Sequence, residues 1–169
     1  QRLFEKEIPA VLDSIVSKQN NHYWPSSPSI GWGKKESLTQ GDSHYWGVWW
    51  GMEPLETYSK KVGRFMSEYG FQGMPDLKTF DTFARPSEMS LTSEAVKAHQ
   101  KHPKGFQIID QQMGLYYQKP LDFNKYAYTS QVLQAEGLKM AIEAHRTAMP
   151  YCMGTLYWQF NDCWPVVSW

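Results

Sequence analysis

The chain of 169 residues carries 17 Lys+Arg and 17 Asp+Glu, so its formal net charge is zero. That balance argues against a polyanion-binding surface, and no nucleic-acid partner is expected. No apolar run approaches the roughly 18 residues of a membrane-spanning helix, and an aromatic content of 15% excludes a disordered chain.

Residues 2–18 predict an amphipathic helix. Leu3, Phe4, Ile8, Val11, Leu12 and Ile15 fall on one stripe, with Glu5, Lys6, Asp13 and Lys18 off it. Pro9 removes one helical hydrogen bond and should kink it, and Asn20-Asn21 should stop it. The opening QRLFEKEIPA lacks the layout of a signal peptide and has no initiating Met, so a fragment of a longer chain is expected. A short strand is expected at 22–24, then a Pro/Ser/Gly-rich loop. Residues 42–50 (DSHYWGVWW) read as strand, 54–62 as one or two helical turns, and 62–69 (VGRFMSEY) as strand ended by Gly70.

Pro75 and Pro86 mark 73–90 as a loop with local turns. Ser90 or Thr92 should cap a helix through Lys101, with His99 and His102 on a solvated helix end. Residues 129–148 predict the last long helix, capped by Thr129 or Ser130, and 153–160 (MGTLYWQF) the last strand. Short strands, apolar on both faces and separated by helices, belong to a parallel sheet covered by helices. Four such strands could be half of a (β/α)8 barrel, whose active site lies at the C-terminal strand ends.

The eight Trp residues lie at 24, 32, 46, 49, 50, 158, 164 and 169, with none between 51 and 157. Distant segments meeting at one aromatic surface would explain this, as would a Trp-rich core. Cys152 and Cys163 flank an extended stretch too long for a disulfide and are expected to be free thiols.

Three places could carry chemistry. Glu68 closes an apolar strand in RFMSEYG, where parallel barrels place catalytic groups. The alternative is an exposed strand-end Glu paired with Arg64 or Lys61. In LYWQFNDCW, Trp158 could floor a sugar ring or sit in the core. In GDSHYWGVWW, Asp42 and His44 are two apart and share a strand face, where they could bind a hydroxylated ligand or satisfy each other. No nucleophile elbow, phosphate loop or Cys/His metal spacing is present.

These motifs carry a resemblance. FMSEYGFQGMP resembles the seventh-strand motif of the β-mannosidases of glycoside hydrolase family 2, around their nucleophile. MGTLYWQFNDCWPVVSW resembles their eighth strand, WPSSPSIGWG their fifth strand and loop, and GDSHYWGVW their sixth. The resemblance implies that residues 1–169 are the C-terminal half of a (β/α)8 barrel, strands five to eight with their helices, in a larger multidomain enzyme. It implies a retaining exo-glycosidase that removes terminal β-D-mannose from oligosaccharides. Glu68 matches the nucleophile, and Trp32, His44, Trp46 and Trp158 match the sugar pocket. In this family the acid/base is the Glu of an Asn-Glu pair closing the fourth strand, and no Asn-Glu pair occurs in this sequence. The segment alone is therefore expected to be inactive. No cofactor or metal is implied, no membrane contact is expected, and the expected neighbours are the flanking β-sandwich domains. An exo-β-glucosaminidase or a glycoprotein endo-β-mannosidase is a same-family alternative. A non-catalytic carbohydrate-binding module and a purely structural segment with core Trp residues are the others.

Overall fold

The computed structural model describes residues 2–17 and 22–169. Parallel strands β1 (Ser43–Tyr45) and β2 (Met66–Tyr69) form its centre. The crossover between them contains a short helix, α2 (Thr57–Lys60). A third extended segment lies on the other side of β2. There Met66 donates to Gly154 O (2.9 Å), Leu156 donates to Met66 O (2.8 Å), and Thr155 makes a parallel bridge to Met66. The chain is thus mixed helix and parallel strand, with β2 in the middle. The expected strands at 42–50 and 153–160 are shorter than predicted. Trp46 to Gly51 turn back instead, with Trp50 donating to Trp46 O (2.8 Å). Residues 22–24 belong to no strand of the sheet.

The N-terminal helix begins as a π-turn (Leu3–Glu7) and continues as α1 (Ile8–Ile15). Pro9, which lacks an N–H, sits in the first turn of α1, where the hydrogen-bond pattern changes. The apolar stripe is present, yet no residue of this helix is buried. The predicted stop at Asn20-Asn21 lies outside the described residues.

The predicted loop at 73–90 contains α3 (Leu77–Phe80), capped by Asp76, and a 3-10 turn at Pro86–Glu88. α4 (Glu94–Ala98) is capped by Ser93, whose hydroxyl accepts from Val96 N (3.2 Å), rather than by Ser90 or Thr92. α5 (Gly105–Tyr116) had no counterpart in the sequence reading. α6 (Phe123–Thr147) starts six residues earlier than 129, because Asp122 accepts from Lys125 N (2.9 Å) and caps it there. α6 packs on α2 and α5. Met66, Tyr69, Phe71, Ile109, Met113 and Leu133 are fully or almost fully buried in the core.

The ring of His99 stacks on Phe83 (3.6 Å between centroids), and its Nδ1 meets the carbonyl of Pro165. His102 is buried against Trp49 and Trp50. The expected solvated helix end is therefore a packed aromatic contact. Cys152 is buried and Cys163 exposed, both as free thiols. Among the described residues, no helix is long and apolar enough to cross a membrane.

Candidate functional site

The parallel register pairs His44 of β1 with Glu68 of β2. Residues opposite one another on neighbouring strands share a face, so the imidazole and the carboxylate meet directly: His44 Nδ1 contacts Glu68 Oε2. Both side chains are about four-fifths shielded, at 21% and 19% exposure. Neither Arg64 nor Lys61 is the partner of Glu68, so the carboxylate belongs to the sheet face and not to a surface ion pair.

Asp42, just before β1, lies behind this pair. Gly41 makes the approach possible. It has a left-handed φ of +63°, and a Cβ there would lie 2.2 Å from Ser29 Oγ. The Asp42 carboxylate accepts from Trp24 Nε1 (3.2 Å), Ser29 N (3.0 Å), Ser29 Oγ (2.9 Å), Ser27 Oγ (2.6 Å) and Ser67 Oγ (2.7 Å). Partial burial pushes this carboxyl up. Donation from Ser27, Ser67, Ser29 and Trp24 outweighs burial and holds it well below the usual carboxylate range. Ser27 Oγ also lies 3.0 Å from His44 Nε2. A chain of contacts therefore runs Asp42, Ser27, His44, Glu68. The shared face of Asp42 and His44 was legible two residues apart. The serines were not, because SSPS reads only as loop chemistry; its density opposite an Asp was the available signal.

The aromatic residues divide. Trp46 is half-buried and packs edge-on against Trp169 (5.7 Å), which also meets the fully buried Trp49 (5.6 Å). The two ends of the chain do meet through aromatic rings, and part of that meeting is core. Trp158 follows the third parallel segment, donates its N–H to Tyr69 O (2.7 Å) and is 45% exposed. It lies beyond the bridge at Thr155, so the strand expected over 153–160 does not reach it. Trp32 stands in the turn after the serine-rich loop, 41% exposed. Among the described residues it joins none of the ring pairs around Trp46 and Trp49. The structure thus brings together Glu68 and His44 by direct contact, and Trp46 and Trp158 around the strand end at Gly70.

The loop after β2 is tied firmly. Ser168 Oγ accepts from Gly73 N (2.8 Å) and donates to Gly73 O (3.0 Å), and Gln134 Nε2 donates to Phe71 O (2.6 Å). Tyr58 donates to Gly70 O (2.8 Å). On the core face, Tyr69 OH and His145 Nδ1 both meet Thr155 Oγ1, at 2.8 and 2.9 Å. No group of three or more His, Cys, Asp or Glu among the described residues is arranged to hold a metal ion. What the site offers is a shielded carboxylate at a parallel strand end, held by an imidazole and bordered by the half-buried Trp46 and the exposed Trp158.

No family model matches the chain. It is 32% identical over 182 residues to the beta-mannosidase B of Emericella nidulans, covering 99% of this chain and 20% of that protein. To the beta-mannosidase B of Thermothelomyces thermophilus it is 33% identical over 183 residues, covering 99% and 21%. A crystal structure of a beta-D-mannosidase from Dictyoglomus thermophilum superposes with a TM-score of 0.90 at 36% identity, over 99% of this chain and 20% of that one. The chain spans about a fifth of the length of the relatives it matches.

Proposed function

Because the chain is homologous along 99% of its length to one segment of the β-mannosidases, we propose that it is part of the catalytic domain of a β-mannoside hydrolase. In this reading residues 1–169 form the C-terminal half of a (β/α)8 barrel within a longer family 2 enzyme, flanked by β-sandwich domains. The single observation that carries it is the placement of Glu68. It is a shielded carboxylate at the C-terminal end of a parallel strand, held by His44 of the neighbouring strand.

The reaction is hydrolysis of terminal non-reducing β-D-mannose with retention. One Glu68 oxygen attacks the anomeric carbon while the bond to the leaving oxygen breaks, giving a glycosyl ester. A second carboxyl protonates that leaving oxygen, then takes a proton from water as the water opens the ester and frees Glu68. Retaining enzymes hold the two groups about 5–5.5 Å apart. This sequence has no Asn-Glu pair, so the second group is assigned to a strand outside these residues. Trp158, Trp46 and Trp32 supply apolar planes for sugar C–H faces, and His44 holds the nucleophile. No cofactor enters the scheme.

The test is covalent labelling of the full-length protein with a 2-deoxy-2-fluoro-β-mannosyl fluoride, followed by digestion and mass spectrometry. The expected result is a mass-shifted peptide containing Glu68. Labelling by the gluco-configured reagent alone would change the sugar. No label from either would remove the glycosidase reading and favour a carbohydrate-binding or structural role.

A further inference from the structure

The contacts behind His44 determine where its protons sit. Asp42 is surrounded by donors: Oδ1 receives Trp24 Nε1–H, Ser29 N–H and Ser29 O–H, and Oδ2 receives Ser67 O–H. Ser27 Oγ stands 2.6 Å from Oδ2. Two oxygens that close need a hydrogen between them, and an ionised carboxylate has none to give. The single hydroxyl proton of Ser27 therefore points at Asp42. Ser27 has only lone pairs left for His44 Nε2 at 3.0 Å, so Nε2 must carry a hydrogen. On the other side of the ring, Nδ1 touches Glu68 Oε2, and that contact needs a proton of its own.

From this accounting we infer that Asp42 is a positioning residue for Glu68, acting through Ser27 and His44 to keep a second proton on the His44–Glu68 pair. The inference rests on the role assigned to Glu68 above. With Nε2 committed to Ser27, the pair holds the Nδ1 proton on an imidazolium facing the Glu68 carboxylate, which leaves the nucleophile ionised. The negative charge of Asp42 balances that extra proton across one serine.

The consequence falls on the second half of the reaction. When water opens the glycosyl ester, the carbon–oxygen bond to Glu68 breaks and its electron pair returns to the carboxylate. The imidazolium charge, aimed through Nδ1–H at Oε2, stabilises that returning charge more than a neutral Nδ1–H would, because a charge-assisted hydrogen bond is the stronger one. Asp42→Asn reverses the chain. The amide presents N–H to Ser27, the Ser27 proton turns to His44 Nε2, and His44 becomes the neutral Nδ1–H tautomer. Comparable tautomer control by a buried carboxylate is known in serine hydrolases.

The experiment uses the full-length protein with 15N-labelled histidine and two-bond ring correlations, together with steady-state kinetics on an activated aryl β-mannoside. The unsubstituted protein is expected to show His44 protonated at Nε2. In Asp42→Asn the Nε2 signal should move to that of an unprotonated nitrogen. Turnover should fall about tenfold or more, with KM falling alongside it and the glycosyl-enzyme accumulating, so that kcat/KM changes less than kcat. Ser27→Ala, at an exposed loop position, is the second variant. It should also reduce kcat, and it guards against a folding defect at position 42. An unprotonated Nε2 in the starting protein, or an unchanged His44 signal in Asp42→Asn, overturns the relay. These ring signals are read without turnover, so loss of the relay is distinguishable from failure of the glycosidase reading, which the labelling of Glu68 decides.

Discussion

The carbonyl of Trp158 fills the space where a side chain on Gly70 would begin: a Cβ there would lie 2.0 Å from Trp158 O, with the Trp46 ring 3.5 Å away. Backbone, not a flexible side-chain end, meets it. The glycine two residues after Glu68 therefore fixes how closely two indole-bearing segments approach the strand end. Gly70→Ala should cost about 2–4 kcal/mol and displace Trp158. Denaturant titration, with quenching of Trp fluorescence by acrylamide, would register both.

Replacing Glu68 by Ala should lower turnover by about 10³-fold or more while leaving the fold intact, since the side chain faces the site and not the core. Near-normal turnover with an unchanged circular dichroism spectrum would remove Glu68 from the reaction.

His145 is buried on the core face with its Nδ1 bonded to Thr155, and burial pulls its pKa down to about 4. The folded protein keeps the ring neutral where the unfolded chain, near 6.5, already takes a proton. Unfolded protein therefore binds more protons between about pH 6.5 and 4, and stability falls as pH drops through that window. The expected loss is on the order of 2 kcal/mol. His145→Gln should flatten this part of the stability profile when melting is followed from pH 7 to 4.5.

Ser130 in α6 is fully buried and accepts from Met74 N (2.9 Å) while donating to Ala127 O (2.7 Å). Ser130→Ala would leave the buried Met74 N–H without a partner, at a cost of about 1–3 kcal/mol. Ser130→Thr, which keeps the hydroxyl, tests whether the bond or the space matters; the midpoint of urea unfolding reads both.

Asp122→Ala should cost about 1 kcal/mol by removing the cap of α6. Faster amide exchange confined to the first turn, at Phe123 to Tyr126, would locate the effect.

The N-terminal helix, the last long helix and the strands around His44 and Glu68 were legible because periodicity and turn residues are local, whereas the strand expected at 22–24 does not form and α3 was read as loop. The sequence singled out Glu68 and His44 as candidates because strand ends and two-residue alternation are readable without coordinates, but it did not pair them with each other. It missed the start of α6, where Asp122 caps a turn that lacks an apolar stripe of its own. α5 was missed for a related reason: its buried face includes Gln112, whose amide donates to Glu53 O (2.7 Å) from across the fold. A polar residue in a core has no local signature. The same limit hid Ser27 and Ser67, whose importance comes from an Asp that reaches them only after folding. Strand lengths were overestimated because Trp-rich runs look extended, whereas the backbone after Tyr45 turns back on itself.

In β2, neighbouring residues answer to different masters. Tyr69 is moored through Thr155 to His145 within the core, while Glu68 looks out into the site. A single peptide unit separates them. Random mutagenesis scored by lost hydrolysis should therefore return two populations of defects. One set would surround Glu68 and His44. The other would lie on the core side, at Thr155 and Tyr69, and tilt Glu68 by moving its neighbour.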